Sequence, residues 1–459
     1  MRLGRKTDFF LNGQSESASY HYYFRKAIRM SLTLRSGFSF GGALSMLFPA
    51  DKIKNEQSFL ENTDEYWMSK ALVKSMENAS IANPNPSVGC LIVKNNELIS
   101  SGCTEIWGGR HAESIAFSRL SPADLSGSTV YVTLEPCTHV GKQPPCIELF
   151  KNKGIQKVVI ASKDPNPLVA GQGLIKLKEM GIECVTGVLI NEVQAWLAPF
   201  FVQQKHKRPF IALKWAQTLD GCLADDNNGW QWISGENSRK YTHWLRQKYD
   251  AILIGVGTLL NDFPSLDIRE IQHPNKRNPL KMIYDPFGKI FQCDKIEQEK
   301  LKEKTFKEGT KKIIFINSSV LAIEKSKKNE WLQSIIQNKD FLIVPLGEQN
   351  QPQFTKSLLE SFLGKEIEDF LGRPLQSVLV EGGGRLLSAF IEEKCFDLIH
   401  IFIAPFFLGG EKHKLFSSAQ KGFLSYPLKE VSTVQRYIMK VQEKLGEDIL
   451  IELVQNEMN

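Results

Sequence analysis

The chain has 459 residues and a formal net charge of +6, and 42% of its residues are hydrophobic. This length exceeds what one ordinary core accommodates, so we expect two domains and an appendage. No apolar run is long enough to span a bilayer, and no basic stripe is interleaved with aromatic residues. Membranes and nucleic acids are therefore not the expected partners.

Residues 1–62 differ in composition from the rest of the chain. Up to Ala50 they hold seven Lys and Arg residues against only Asp8 and Glu16, and hydrophobic periodicity is absent. A targeting peptide is one interpretation, because transit peptides are basic, Ser-rich and poor in acidic residues. A disordered extension, or a translation start placed too early, explains the same composition and is the simpler expectation. Organellar targeting stays open.

The first domain is expected over residues 63–205. Asp64 suits the N-cap of a helix through Met68 and Leu72, and residues 81–86 form a rigid loop because two of them are prolines. Further elements are predicted at strands 88–93, 97–103, 129–134 and 157–161 and at helix 111–120. Strands alternating with helices indicate a layered α/β domain.

A second α/β domain is expected over residues 206–455. It follows the polar, basic junction 203–209, and its predicted strands lie at residues 210–215, 251–255, 280–284, 377–380 and 398–404. The runs 295–312 and 324–329 are rich in Lys and Glu. Such runs are usually solvated helix faces or loops, and we assign them no function.

One constellation in the first domain indicates zinc chemistry. His111, Cys137 and Cys146 can supply three zinc ligands, which leaves the fourth tetrahedral position to water. Zinc lowers the pKa of such a water to about 7. Glu113, two residues after the histidine, can move protons without binding the metal. This is the equipment of a zinc-dependent hydrolytic deaminase.

Three alternatives compete with this interpretation. A structural zinc site would need a fourth protein ligand, such as Cys103 or His139, and would suit a regulatory protein that binds a nucleotide without turnover. Isolated core cysteines are simpler still. A deaminase of nucleosides or RNA is the enzymatic rival, but those enzymes have Pro-Cys-x-x-Cys. Here eight residues separate Cys137 from Cys146, and the longer loop brings His139 and Lys142 near the metal, which suits a phosphorylated small molecule.

The motifs of the first domain resemble a known family. The Asn-Pro loop, His111-Ala112-Glu113, Thr133-Leu134-Glu135-Pro136-Cys137 and Asp164-Pro165-Asn166-Pro167 look like the deaminase half of the bifunctional riboflavin-biosynthesis deaminase/reductases. The resemblance implies a cytidine-deaminase-like three-layer fold and deamination at C2 of 2,5-diamino-6-(ribosylamino)-4(3H)-pyrimidinone 5′-phosphate. It also implies substrate contacts from Asn85, His139, Lys142, Asp164 and Asn166. Ala82 departs from the hydroxyl residue that the family usually has.

The second domain carries the matching half of the resemblance. Lys214-Trp215-Ala216-Gln217-Thr218-Leu219-Asp220-Gly221, Gly255-Val256-Gly257-Thr258 and Glu381-Gly382-Gly383-Gly384 follow strands, where glycines allow a backbone to approach a phosphate. Each segment alone is weak, and neither a dinucleotide-binding Gly-x-Gly-x-x-Gly nor a P-loop is present. Together they resemble the family's reductase half, which is similar in fold to dihydrofolate reductase.

The resemblance implies NADPH as the hydride source and C1′ of the ribose as the acceptor. The residues that it implies for the NADPH site are Ala216, Trp232, Thr258, Asp262, Gly383, Gly384 and Arg385. Those that it implies for the substrate are Lys214, Arg246, Leu266, Arg269 and Glu381. Lys214 and Asp262 are also candidates for ring opening or proton delivery.

One departure concerns the reductase half. Trp230 occupies a position at which the family usually has a small hydroxyl residue, and an indole cannot make the same hydrogen bond. A deaminase with a degenerate reductase domain therefore remains an alternative. We expect a bifunctional zinc- and NADPH-dependent enzyme in the cytoplasm, because scattered cysteines suit a reducing compartment. A homo-oligomer is left open.

Overall fold

The computed structural model describes residues 62–166, 170–224, 232–269, 277–347, 354–409 and 437–455. The basic extension expected over residues 1–62 lies outside these ranges except for Asn62. The described residues build two β-sheets, one of five strands and one of nine. In this part of the chain no helix has the length and apolar character needed to cross a membrane.

The first sheet has the strand order β2-β1-β3-β4-β5. Its strands are β1 (Gly89–Lys94), β2 (Glu97–Cys103), β3 (Thr129–Leu134), β4 (Lys157–Ser162) and β5 (Glu183–Thr186). Its helices are α1 (Asp64–Ser75), α2 (Ala79–Ala82), α3 (Ala112–Phe117), α4 (Pro122–Leu125), α5 (Gln172–Glu179), α6 (Ile190–Trp196) and α7 (Ala198–His206). β1 pairs antiparallel with β2 and β3, whereas β3, β4 and β5 are parallel.

The second sheet has the strand order β10-β9-β8-β7-β11-β6-β12-β14-β13. Its strands are β6 (Phe210–Thr218), β7 (Ala251–Gly255), β8 (Leu280–Tyr284), β9 (Lys312–Asn317), β10 (Phe341–Leu346), β11 (Ser377–Glu381), β12 (Leu398–Ala404), β13 (Tyr437–Leu445) and β14 (Asp448–Gln455). Its helices are α8 (Glu236–Lys248), α9 (Val256–Asp262), α10 (Lys295–Glu303), α11 (Ser318–Ser326), α12 (Glu330–Gln337), α13 (Phe354–Phe362), α14 (Lys365–Leu371) and α15 (Gly384–Glu392). The seven strands β10, β9, β8, β7, β11, β6 and β12 are parallel to one another. β14 then pairs antiparallel with β12, and β13 pairs antiparallel with β14.

Both faces of the second sheet are covered by packed side chains. Side chains of a strand point alternately to opposite faces, so one strand contributes to the core on each side. In β7, Ala251 and Leu253 pack in one buried cluster, while Ile252 and Ile254 pack in another. The carboxyl ends of the parallel strands β7 and β11 are adjacent. The glycine turns that follow these two strands therefore lie side by side.

The structure corrects three details of the expected elements. Thr63, not Asp64, is the N-cap of α1, since its side chain accepts a hydrogen bond from the backbone of Tyr66. The rigid loop begins at Asn83, because residues 79–82 form the short helix α2. Lys312 starts the buried strand β9 and is fully buried itself, so part of the Lys-rich run is sheet interior.

Candidate active site

The three expected zinc ligands come together in the first domain. Nδ1 of His111 lies 3.2 Å from Sγ of Cys146 and 3.5 Å from Sγ of Cys137. All three ligand atoms lie within 4.8 Å of one another, and no further His, Cys, Asp or Glu of the described residues joins them. Tetrahedral zinc with ordinary bond lengths would separate such a nitrogen–sulfur pair by about 3.6 Å. The cluster therefore fits a zinc ion with three protein ligands.

The local fold explains how distant residues meet. His111 immediately precedes α3, Cys137 follows β3, and Cys146 begins a 3₁₀ helix that extends to Phe150. The backbone N–H of Cys146 donates to Sγ of Cys137 at 3.3 Å. Hydrogen bonding from Cys146, and then from His111, lowers the pKa of Cys137 to about 4 against the opposing effect of burial. One ligand is thus prepared as a thiolate, the form that binds zinc.

Glu113 lies in the first turn of α3 and is only 4% exposed. Burial, followed by the charge of Cys137, raises its pKa to about 7. Glu113 stays outside the ligand cluster, so its carboxyl group is available for proton transfer. A carboxyl group of this pKa can both accept and release a proton near neutral pH.

The two residues considered as a fourth zinc ligand are not part of the cluster. The thiol of Cys103 lies 3.2 Å from the side-chain amide nitrogen of Asn78 and 3.8 Å from Oε2 of Glu77. His139 is exposed in the loop between the two ligand cysteines. A closed structural zinc site built with either residue is therefore not what the fold forms.

The inter-cysteine loop is tied to the segment that precedes His111. The side-chain amide of Gln143 donates to the carbonyl of Gly108 at 2.8 Å. Nζ of Lys142 lies 3.3 Å from the ring centroid of Trp107, a cation–π contact. Lys142 is exposed, so its charge lies at the surface of this loop, where an anionic ligand could reach it.

Asp164 and Asn166 form a turn after β4. Oδ1 of Asp164 accepts a hydrogen bond from the backbone of Asn166 at 2.8 Å, as turn aspartates do. Burial raises the pKa of Asp164, and charge interactions with Glu135, His139 and Cys137 also act on it. Asp164 is therefore within electrostatic range of His139 and of the ligand Cys137.

Sequence reasoning assigned no role to Glu135, which is 3% exposed. Its carboxylate accepts backbone hydrogen bonds from Asp164 at 3.2 Å, Gly171 at 3.0 Å and Leu174 at 3.2 Å. It therefore fixes the Asp164 turn and the start of α5 next to the zinc-binding segment. Its position two residues before Cys137 was the available signal, but long-range backbone contacts are not visible in a sequence.

Asn85 is half-buried on the Asn-Pro loop. Its backbone N–H donates to the carbonyl of Ala82 at 3.0 Å. With Pro84 it lines a cleft of about 420 Å³ between the two domains. A few residues on, Cys90 of β1 lies opposite Val132 of β3, the strand that precedes Cys137. The Asn-Pro loop therefore runs from the cleft between the domains to the strand next to β3.

The glycine turns that follow β7 and β11 in the second domain contact each other, as expected for turns after adjacent parallel strands. The backbone N–H of Gly383 donates to Oγ1 of Thr258 at 2.8 Å. A Cβ atom on Gly383 would lie 3.2 Å from the same oxygen, whereas one at Gly257 would meet nothing within 4 Å. The two turns therefore approach closely and border open space. Such a pair of turns at strand ends fits the phosphate groups of a dinucleotide.

A cluster of charges is buried near these turns. The guanidinium of Arg246 donates to both carboxylate oxygens of Glu381, at 2.7 and 2.9 Å. Burial lowers the pKa of Lys214, with the charges of Glu381 and Arg246 acting in opposite senses. Arg246 therefore already binds a protein carboxylate.

The other expected reductase residues occupy varied surroundings. Leu266 is 2% exposed and packs in the core, and Trp232 is 65% exposed with Arg239 5.1 Å from its ring centroid. Arg269 is exposed and donates to Ser265 at 2.8 Å. Ala216 is half-buried, whereas Asp262 and Arg385 are exposed; Gly384 begins α15. Trp230 lies outside the described residues.

Comparison with known proteins supports both halves. A family model described as the cytidine and deoxycytidylate deaminase zinc-binding region matches residues 61–162. A second, the RibD C-terminal domain, matches residues 209–440. The chain therefore joins a zinc-binding deaminase domain to a reductase domain.

Relatives match along nearly their full length. The riboflavin biosynthesis protein RibD of Actinobacillus pleuropneumoniae is 34% identical over 398 residues, which cover 86% of this chain and 96% of the relative. RibD of Aquifex aeolicus is 34% identical over 392 residues, with 85% and 98% covered. A solved deaminase/reductase from Thermotoga maritima is 31% identical with a TM-score of 0.68, covering 86% of this chain and 99% of its own. This chain belongs to the RibD family of bifunctional riboflavin-biosynthesis deaminase/reductases.

The expected fold classes are confirmed, with a cytidine-deaminase-like domain followed by a dihydrofolate-reductase-like RibD C-terminal domain. The nucleoside or RNA deaminase and the regulatory zinc protein are thereby disfavoured as interpretations.

Proposed function

We propose that the first domain deaminates 2,5-diamino-6-(ribosylamino)-4(3H)-pyrimidinone 5′-phosphate at C2. The second domain then reduces the ribosyl group of the product to a ribityl chain with NADPH. The observation that carries the proposal is the His111, Cys137 and Cys146 cluster with the buried carboxyl group of Glu113 beside it. The domain boundary that we propose lies at residues 205–206, in the last turn of α7 and ahead of β6.

In the first half-reaction, His111, Cys137 and Cys146 would hold the zinc ion, which would acidify a water for use as the nucleophile. Glu113 accepts a proton at its carboxylate as the water attacks, and returns a proton to the departing amino group, which leaves as ammonia. Its pKa near 7 suits both transfers.

The substrate contacts that we propose lie on the loops around the zinc cluster. Asn85 and the Asp164–Asn166 turn face the heterocycle and ribose, and His139 approaches from the inter-cysteine loop. Lys142 offers its exposed ammonium to the phosphate. Glu135 holds the Asp164 turn in place through its backbone hydrogen bonds.

In the second half-reaction, bound NADPH supplies a hydride to C1′. The turns around Thr258 and Gly383-Gly384 cradle the cofactor phosphates, with Ala216, Trp232, Asp262 and Arg385 lining the rest of the site. Lys214 and Asp262 assist ring opening or proton transfer. Arg269 is exposed although it pairs with Asp267 at 3.3 Å, whereas buried Arg246 donates to both oxygens of Glu381, so Arg269 is better placed for the substrate phosphate. Glu381 then acts by orienting Arg246, and Leu266 supports the wall of the site from the core.

A coupled assay tests the two activities separately. Ammonia release from the diaminopyrimidine phosphate should not require NADPH, and NADPH should be consumed only once deaminated product is present. Glu113→Gln should reduce deamination by about 10²–10⁴-fold while keeping one zinc per chain and the reductase rate. Glu192→Gln is the matched control, because Glu192 is buried in α6 with a pKa that burial raises, outside the zinc cluster. Normal deamination by Glu113→Gln would refute the proposal.

The zinc and NADPH dependence belongs to the same proposal, as does a cytoplasmic location. None of the eight cysteines, all of which lie in the described ranges, forms a disulfide, and this suits a reducing compartment. Chelation should remove deamination and spare reduction of deaminated product. An enzyme that deaminates but never consumes NADPH would instead indicate a degenerate second domain.

A further inference from the structure

The Asn-Pro loop of the first domain is held by residues of the second domain. The side-chain amide of Asn83 donates to Oδ1 of Asp250 at 3.0 Å. The side-chain amide of Gln376 donates to the carbonyl of Pro84 at 2.6 Å. Asn83, Asp250 and Gln376 are 7%, 2% and 2% exposed, so these contacts are shielded from water. The second domain therefore binds both the side chain of Asn83 and the backbone carbonyl of Pro84 in this loop.

Asp250 is itself firmly fixed within the second domain. It lies between α8 and β7, and its carboxylate accepts from Arg373 at 2.7 Å and from the backbone of Gln376 at 2.8 Å. Its backbone N–H donates to Ser377 at 3.0 Å. Hydrogen bonds to a charged acceptor are stronger than those between neutral groups, particularly away from water. The carboxylate is thus a rigid, charged anchor for Asn83.

Apolar and cation–π contacts also join the two domains. Trp244 of α8 packs against the cores of both sheets. Nζ of Lys248 lies 5.3 Å from the ring centroid of Trp196 in α6. Ala198 and Val202 of α7 pack against the second core. The loop contacts therefore lie within a packed interface between the domains.

The held segment leads into the deaminase site. Asn85 follows Pro84 directly, and Ser87 is bound through its hydroxyl to the carbonyl of Ser75. β1 begins at Gly89, whose backbone N–H donates to Oγ1 of Thr133 at 3.1 Å in β3, the strand that precedes Cys137. Asn83 and Pro84 are held by the second domain, and β1 is held in the first sheet. The backbone of Asn85, which lies between them, therefore has little conformational freedom. Because substrate contacts must be held within fractions of an ångström, such support affects binding.

We propose that Asp250 and Gln376 are positioning residues for deamination, so that the docked reductase domain completes the deaminase site by fixing the loop that carries Asn85. This inference rests on the proposed substrate role of Asn85. It assigns the second domain a part in the first reaction besides its own.

The test uses the full-length chain with Asn83→Ala and Gln376→Ala. Gln203→Ala is the matched control, because Oε1 of Gln203 accepts from the same Gln376 amide at 3.3 Å but lies on α7, outside the loop. Deamination and reduction are each measured with their own substrates. Hydrogen exchange of residues 79–88 reports on the loop without any substrate.

Both test variants should lower kcat/KM for deamination about tenfold, mainly through KM, as expected for losing one buried hydrogen bond. Reductase kcat/KM and zinc content should stay within about twofold of wild type. Exchange of residues 79–88 should be faster in the test variants and unchanged in Gln203→Ala. Gln376→Met, which has a similar length but cannot donate a hydrogen bond, should behave like Gln376→Ala.

Unchanged kinetics and unchanged exchange in both variants would overturn the inference. So would parallel losses of both activities with a lower melting temperature, since that pattern indicates a merely structural contact. Faster exchange in a chain whose wild type does not deaminate the diaminopyrimidine phosphate would contradict the proposed substrate and leave the loop contact established.

Discussion

Arg246 and Glu381 form a bidentate ion pair in the second domain, with N–O distances of 2.7 and 2.9 Å. Their side chains are only 13% and 10% exposed. Lys214 lies close enough for its pKa to respond to both charges. One carboxylate therefore balances two cations in a region from which water is largely excluded.

Replacing this carboxylate should be costly. Glu381→Gln should lower the free energy of unfolding by about 3 kcal/mol, because removing one partner leaves buried charge uncompensated. Urea unfolding at pH 7 measures the change. Glu299→Gln, which breaks the exposed pair with Lys302, should change it by less than about 1 kcal/mol.

A double-mutant cycle separates pairing from size effects. Arg246→Met combined with Glu381→Gln should cost clearly less than the sum of the two single changes, because neither charge is then left alone. Strict additivity would show that the two side chains stabilise the fold independently, contrary to the observed geometry.

Zinc content distinguishes the ligand cysteines from the other buried ones. Cys137→Ala should lose most of the bound zinc, because two protein ligands hold the ion poorly. Cys103→Ala should retain one zinc per chain, since its thiol lies with Asn78 and Glu77, outside the cluster. Atomic emission on the purified variants gives the metal-to-protein ratio. Zinc loss from Cys103→Ala would reinstate the four-ligand structural site.

Strands with clear apolar patterns were predictable from the sequence alone. β2, β3, β7, β8 and β12 begin and end at the predicted residues. β9 was missed because its first residue, Lys312, ends a Lys-rich run, and burial of a lysine cannot be read from composition. Its ammonium group is satisfied by the segment before β9, because Nζ of Lys312 donates to the carbonyl of Lys307, and buried Lys281 likewise donates to the carbonyl of Thr305.

The candidate zinc ligands could be predicted from the sequence, whereas the contacts that position the surrounding loops could not. The ligands belong to short sequence motifs whose chemistry can be recognised wherever they occur in a chain. The contacts of Asn83 with Asp250 and of Pro84 with Gln376 join residues 167 and 292 positions apart. Such pairs depend on how two domains dock, which no local pattern encodes. The functional chemistry was thus visible in the sequence, and its positioning was not.

Buried Lys281 should make stability depend on pH. Burial, followed by the charge of nearby Lys312, lowers the pKa of Lys281 to about 8, whereas an unfolded lysine titrates near 10.4. Between these values the unfolded chain holds a proton that the folded chain has released, so the free energy of unfolding rises with pH. Below pH 8 the full penalty is present.

The measurement compares variants across this window. Wild type should gain up to about 3 kcal/mol of unfolding free energy between pH 8 and 10.4 from this group, and Lys281→Met should lack that gain. The exposed Lys295 provides the control, and Lys295→Met should follow the wild-type profile. Parallel profiles for wild type and Lys281→Met would show that the Lys281 ammonium is not penalised in the fold.

Thr258 should control NADPH affinity through the turn that it holds. Its Oγ1 accepts the Gly383 N–H at 2.8 Å, which keeps the two glycine turns together at the proposed phosphate site. Thr258→Val removes the acceptor at nearly constant volume. The dissociation constant for NADPH should therefore rise about tenfold, in line with losing one hydrogen bond, while deamination is unchanged. Thr242→Val is the matched control, because the Thr242 hydroxyl donates only within α8, to Ser238 at 2.9 Å. Equal NADPH affinities for the two variants in calorimetric titrations would show that the turn contact does not shape the cofactor site.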